Sequence, residues 1–208
     1  MHTVLVANTK GGCGKTTVAT HLAAAFANAG LPTALADVDR QRSSLAWLGS
    51  RPVGSAPIQS LDWVKDITEP PSGAARIVVD VPAAMKIKQL EDLIRLADIV
   101  VLPVLPSGFD EAATARFLDK LEALKPIRKH RVPVAVIGNR MRARSRAADH
   151  LGHFMRGLEQ SVVARVRDSV VYADLSGEGR SVFDLNGRRY EDLRGDWHPL
   201  LVHLERQF

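Results

Sequence analysis

The chain has 208 residues, 46% hydrophobic and 25% charged, enough to bury a core without disulfides or a structural metal. Its single cysteine, Cys13, excludes a disulfide framework, a zinc–cysteine cluster and a cysteine-ligated iron–sulfur cluster within one chain. The formal net charge is +5 and uneven, because the window from Lys125 to Ser169 holds eleven Lys/Arg against three Asp/Glu.

Short apolar runs alternate with helical patterns along the chain. Thr3–Ala7, Thr33–Ala36, Ile77–Val79, Ile99–Leu102, Val132–Ile137 and Val162–Val166 predict strands. They are rich in Val, Ile and Leu and show little polar alternation, as strands covered on both faces do. Thr16–Ala29, Gln41–Leu48, Ile87–Ala97, Glu111–Leu124, Ser145–Leu158 and Tyr190–Glu205 predict helices. The alternation implies an α/β fold with a mostly parallel sheet flanked by helices on both faces. Arg51–Pro57 and Glu69–Ala74 predict loops, too short for a domain linker, so residues 1–208 are expected to form one domain. The start, Met1–Val6, lacks the basic flank and cleavage site of a secretory signal. The uncharged stretch Thr16–Ala36 contains Asn28, Gly30 and Pro32 and reads as helix, turn and strand, not a membrane span. A soluble, cytoplasmic protein is expected.

The strongest chemical signal lies between the first strand and the first helix. Asn8-Thr9-Lys10-Gly11-Gly12-Cys13-Gly14-Lys15-Thr16-Thr17 has the glycines, lysine and threonine of a phosphate-binding loop in the strand–loop–helix context such a loop requires. Glycines let several backbone N–H groups converge on one phosphate, and the following helix adds its positive end. Lys15 is placed to bridge β- and γ-phosphates, and the Thr16 hydroxyl to ligate Mg²⁺. Thr9 stands where the general motif has its first glycine, and Lys10 precedes Gly11.

Lys10-Gly11-Gly12-Cys13-Gly14-Lys15-Thr16-Thr17 resembles the deviant Walker A motif of the ParA/MinD family of P-loop ATPases. The resemblance implies ATP and Mg²⁺ as cofactors, with Gly11, Gly12, Cys13, Gly14 and Thr17 in the nucleotide cradle. It also implies that Lys10 reaches the phosphates of a partner subunit in an ATP-sandwich homodimer, a charge neutralisation in trans. Asp37-Val38-Asp39-Arg40-Gln41 resembles the family's Asp-x-Asp-Pro-Gln segment, with Arg40 in place of proline. On that resemblance Asp39 orients the attacking water and Asp37 supports the Mg²⁺ shell. An Asp ahead of a helix also suits capping, and both roles stand. Ile77-Val78-Val79-Asp80 resembles Walker B, so Asp80 is expected to hold a Mg²⁺-bound water. Softer likenesses follow. Leu102–Ser107 resembles a strand end of the family, Asn139-Arg140 falls where it often places an adenine-contacting Asn, and Gly177–Phe183 resembles its tail segment.

The basic window holds Arg140, Arg142, Arg144, Arg146 and Arg156, and Arg188 and Arg189 precede the last helix. Phe154 is the one Phe, Tyr or Trp in that window, which argues against stacking on single-stranded bases. Non-specific duplex DNA binding through the phosphate backbone is the expectation for Arg142, Arg144, Arg146, Arg156, Arg188 and Arg189, against a solvated helix face as the plainer account. Arg140 is divided between nucleotide and DNA. The family likeness further implies nucleoid association, cargo positioning, and a ParB-like or cargo-linked protein that stimulates slow hydrolysis. A membrane-associated MinD-like role would need a basic amphipathic C-terminal helix, and Leu200–Phe208 shows no basic cluster, so a membrane partner is not expected. A metabolic P-loop ligase stays open as an alternative.

Overall fold

The computed structural model describes residues 1–129, 131–142, 145–157 and 162–208. In chain order the elements are β1 (His2–Val6), α1 (Lys15–Asn28), β2 (Thr33–Asp37), α2 (Ser43–Gly49), β3 (Ile58–Asp62), β4 (Arg76–Asp80) and α3 (Ile87–Ile94). They continue with β5 (Ile99–Val104), α4 (Gly108–Ala123), α5 (Lys125–Arg128), β6 (Val134–Met141), α6 (Arg146–Gly157), β7 (Val162–Arg167), α7 (Val171–Gly177) and α8 (Arg188–Glu205).

The strands form one seven-stranded sheet in the order β3-β2-β4-β1-β5-β6-β7. Every pairing is parallel. β1 lies at the centre, and β2 and β5 fall on opposite sides of it. The carboxyl ends of the strands around such a reversal form a crevice, the usual ligand position in open α/β sheets. Successive side chains of β1 serve opposite faces. Leu5 joins Ile77, Val79, Val100 and the side chains of α3, α4 and α6. Val4 and Val6 join Val78, Ile99, Val101 and the side chains of α1, α2, α7 and α8.

All six predicted strands and all six predicted helices are present, with shifted ends. Three elements went unpredicted. β3 is an edge strand on which only Leu61 is buried, so it lacks the apolar run of a central strand. α5 is a four-residue turn, and α7 has seven residues, both below the length at which a periodic signal emerges.

α8 closes the core with Leu193, Trp197, Leu200 and Leu204. Trp197 is fully buried and stacks on His21 of α1 at 5.1 Å between ring centroids, while its indole N–H donates to the Tyr172 hydroxyl at 3.1 Å. His21 Nδ1–H donates to the Thr17 carbonyl at 2.9 Å, and Nε2 is buried without a partner. Burial therefore favours the neutral ring and lowers the His21 pKa from 6.5 to about 4. The unfolded chain takes up a proton below pH 6.5 while the folded chain does not until about 4, so this contribution is complete above 6.5 and lost as pH falls through that window. It amounts to roughly 3 kcal/mol. Urea unfolding at pH 7 and pH 4.5 is expected to show a smaller acid loss for His21→Phe than for the wild type. Parallel losses in the two proteins would refute the assignment.

Candidate functional site

The site grows from the carboxyl ends of β1, β2 and β4. Register puts Asp37 of β2 beside Asp80 of β4, and Asp80 beside Val6 of β1, so the two carboxylates and the loop after β1 emerge side by side.

The loop is anchored from beneath. Asn8 is buried, its Nδ2 donates to the Pro103 carbonyl at 2.8 Å, and its Oδ1 accepts the Lys10 N–H at 3.0 Å. The backbone then turns through left-handed conformations at Gly12 and Gly14. Gly14 is required twice over. Its φ is 92°, and an added Cβ would lie 2.2 Å from Asn139 Nδ2. That same Nδ2 donates to the Cys13 carbonyl at 2.8 Å, so Asn139 props the loop from β6. α1 begins without a side-chain cap and without an acid in its first turn. Its first-turn amides and dipole therefore face the loop mouth as a seat for an anion.

Lys15 is buried and folds back to donate from Nζ to the Lys10 carbonyl at 3.0 Å, with Cys13 Sγ 4.0 Å away. The Thr16 hydroxyl lies close enough to Asp80 to favour its ionised form. The Ser44 hydroxyl donates to Asp80 at 2.6 Å. Burial, with Asp37 as a lesser contributor, pushes the Asp80 pKa up to about 6 despite these two hydroxyls and nearby Lys15. A divalent cation would relieve that cost, and the oxygen donor set of Thr16 and Asp80 suits Mg²⁺. No group of three or more His, Cys, Asp or Glu able to hold a metal alone occurs among the described residues.

Asp37 is held by backbone donors on both oxygens. Oδ1 accepts the Asp39 N–H at 2.9 Å, and Oδ2 accepts the Ser44 and Leu45 N–H groups at 2.9 and 3.2 Å. It caps α2 across the loop and reaches Asp80 through Ser44, so any support for a cation is indirect. Burial raises its pKa against these three N–H donors. Asp39 is half-buried, and its Oδ1 accepts the Gln41 N–H at 3.0 Å. The capping of α2 thus falls to Asp37, leaving Asp39 on the loop beside the mouth. Ser44 was missed from sequence, since a serine opening a helix has ordinary capping reasons to be there.

Beside the start of α1 lies an open groove of about 370 Å³ lined by Thr17, Asn139, Arg140, Ser169, Tyr172 and Ser176, among others. Arg140 is exposed with φ 50°, and its N–H is held by Asn139 Oδ1 at 3.0 Å.

The arginines do not share one face. Arg142 is 80% exposed, pairs with Asp168 at 3.3 Å, and sits just past β6. Arg146 opens α6 and is exposed; Arg156 is exposed ten residues on, about 15 Å further along the helix. Arg188 and Arg189 are exposed at the start of α8, on the other side of the sheet. Arg144 lies outside the described residues.

Known proteins resemble this chain in sequence and in fold. The Maintenance of carboxysome distribution protein A of Halothiobacillus neapolitanus is 29% identical over 193 residues, 89% of this chain and 88% of the relative. Protein ParA of Rhizobium radiobacter is 28% identical over 162 residues, 73% of this chain and 70% of the relative. Among solved structures, apo McdA from Cyanothece superposes with a TM-score of 0.77 at 16% identity, covering 98% of this chain and 99% of that one. A putative plasmid partition protein of Borrelia burgdorferi B31 bound to AMPPNP gives 0.74 at 16% identity, covering 97% and 99%. Cobyrinic acid a,c-diamide synthase of Mycobacterium smegmatis, with bound ATP analogue and magnesium, gives 0.65 at 15%, covering 85% and 93%. Residues 4–182 match the CbiA family as a whole, from the central strand through the loop, both carboxylates and the segment after α7, and the chain belongs to this CobQ/CobB/MinD/ParA nucleotide-binding family.

Proposed function

We propose that the protein is a ParA-type positioning ATPase. A single domain binds ATP with Mg²⁺, pairs with a second copy around the nucleotides, holds duplex DNA without sequence preference, and lets go on hydrolysis. The observation that carries this reading is the convergence of an uncapped helix start, Lys10, Lys15 and the Asp37–Ser44–Asp80 set at the ends of three adjacent strands.

Each residue then has a stated task. The first-turn amides of α1 and Lys15 bind the phosphates, and Lys15 exchanges its Lys10 carbonyl partner for β- and γ-phosphate oxygens. Thr16 and Asp80 would hold the cation with their side-chain oxygens. Mg²⁺, when bound, supplies neutralisation of the phosphate charge. Asp39 orients the attacking water, and Lys10 of each copy serves the other's phosphates. Asn139 and Arg140 border the groove for the base. The cargo and the stimulating partner are proposed by likeness to the carboxysome-distribution and ParA relatives. Location at the nucleoid follows from the DNA reading.

The apolar side of α8 is spent on the core and is not free for a bilayer. No helix among the described residues is long and apolar enough to cross a membrane. Arg142 and Arg146, exposed together where β6 ends, are the foremost candidates for phosphate contacts.

The test is binding to random-sequence duplex DNA, with ATP–Mg²⁺ and with ADP, over a salt series and beside anionic liposomes. ATP-dependent, salt-sensitive DNA binding is expected, with no liposome binding. Replacing Arg142 and Arg146 by alanine is expected to weaken DNA binding about tenfold or more and to lower the salt slope by about 0.9 for each phosphate that the variant no longer neutralises. Unchanged affinity would move the DNA-binding role to Arg156 or Arg188. Liposome binding alone would favour a MinD-like role, and binding to neither would favour a metabolic ligase.

A further inference from the structure

We propose that Arg51 and Asp184 act as a positioning pair that sets the water-orienting loop 39–44 through α2, an inference that rests on the ATPase reading above. α2 is seven residues long, about 10 Å, and buries only Ser44 and Trp47. So short a helix does not hold itself in place. On its side toward α1 and α7 lies an open cleft of about 420 Å³, lined in part by Thr20, Ser43, Ala46, Ser50 and Ser176. Packing therefore leaves α2 room to tilt, and its ends must fix it.

The upper end is the cap by Asp37 on Ser44 and Leu45, with Ser44 on Asp80. The lower end is the proposed pair. Arg51 donates from Nη1 and Nη2 to the two oxygens of Asp184 at 3.0 and 2.9 Å, with both side chains under a tenth exposed. Arg51 also donates to the Gly179 and Ala56 carbonyls at 3.3 and 3.1 Å, and its guanidinium lies 4.8 Å from the Trp47 ring centre. Asp184 further accepts Asn28 Nδ2 at 2.9 Å and the Ser181 N–H at 2.8 Å. The Trp47 indole N–H donates to the Arg180 carbonyl at 3.2 Å. Gly179, at φ 64°, presses so closely that an added Cβ would lie 2.4 Å from the Ser50 carbonyl carbon.

This anchorage belongs to residues 178–184, which continue directly from α7, and α7 supplies Tyr172, Ala173 and Ser176 to the groove beside the loop. One buried fork thus joins the wall of the groove to the far end of the helix whose near end carries Ser44. Neither Arg51 nor Asp184 lines that groove, so the pair acts through α2 and not on the nucleotide.

The test compares wild type with Arg51→Met/Asp184→Leu, which removes both charges together and so leaves no unpaired buried ion. Arg51→Lys is the milder second variant, keeping the charge but not the fork. Two readouts are taken: hydrogen exchange of the Ser44 and Leu45 amides in the free protein, and kcat and KM for ATP–Mg²⁺ with DNA present. The double variant is expected to speed exchange at both amides at least tenfold while the α1 amides stay protected. Its kcat is expected to fall at least tenfold with KM within threefold, and Arg51→Lys to fall between. Unchanged exchange at Ser44 and Leu45 overturns the coupling. Faster exchange with unchanged kcat overturns the positioning role and leaves the pair structural. A wild type whose two amides respond to the pair but which turns over no ATP upholds the coupling and overturns the ATPase reading instead.

Discussion

Lys15→Ala is expected to weaken ATP–Mg²⁺ binding by roughly 2–5 kcal/mol, about 30- to 4000-fold in Kd. The ammonium is buried beside the loop and already oriented by the Lys10 carbonyl, so meeting a phosphate costs it little further desolvation or ordering. Alanine leaves the α1 amides in place but removes the buried cation that answers the anion's charge. The fold should tolerate the change, because alanine suits the first turn of a helix and the bond removed is a single donor to one carbonyl. Titration with ATP–Mg²⁺, beside a thermal melt, separates these effects. An affinity within threefold of wild type would remove Lys15 from the phosphate site.

Asp39 should fail in the opposite manner. Asp39→Ala is expected to leave ATP affinity within about threefold and to slow hydrolysis by about 100-fold or more, the usual scale for a group that positions or activates a nucleophile. A dimer that cannot hydrolyse stays closed, so the variant should accumulate on DNA with ATP. Asp39 also accepts the Gln41 N–H, and alanine removes that bond as well as the charge. Asp39→Asn keeps an acceptor for Gln41 and removes only the charge. If Asp39→Asn is as slow as Asp39→Ala, the carboxylate acts on water; if it turns over normally, Asp39 serves the loop's shape alone. Single-turnover hydrolysis and size-exclusion chromatography with ATP read both effects.

The phosphate loop was legible because its chemistry is contiguous: Lys10 to Thr17 carries every residue type that the backbone curl and the anion require. Apolar residues followed by Asp are a weak pattern alone, so Asp80 stood out only as third in order after the phosphate loop and the Asp37–Asp39 segment. What could not be read was the wiring between them. Asp37 and Asp80 are register partners on neighbouring strands, yet Ser44 joins them, and a serine at a helix start looks like any cap. Arg51 and Asp184 lie 133 residues apart, and neither stands in a motif. The arginines of the basic window and the Arg188–Arg189 pair beyond it looked like one group on paper. Helical and strand geometry divides them, because α6 and α8 cover opposite faces of the sheet.

The central place of β1 also bears on how the chain is made. His2 pairs with Arg76, and Val4 pairs with Ile99, so β1 waits for neighbours made far later. At ordinary ribosomal rates the 74-residue gap to Arg76 alone takes about 4–15 s. During that time Val4, Leu5 and Val6, all fully buried in the finished protein, have no sheet to enter. The phosphate loop hangs from the end of this strand and is anchored on Pro103 and Asn139. A nascent chain is therefore expected to gain its nucleotide site late, only after Asn139 has emerged.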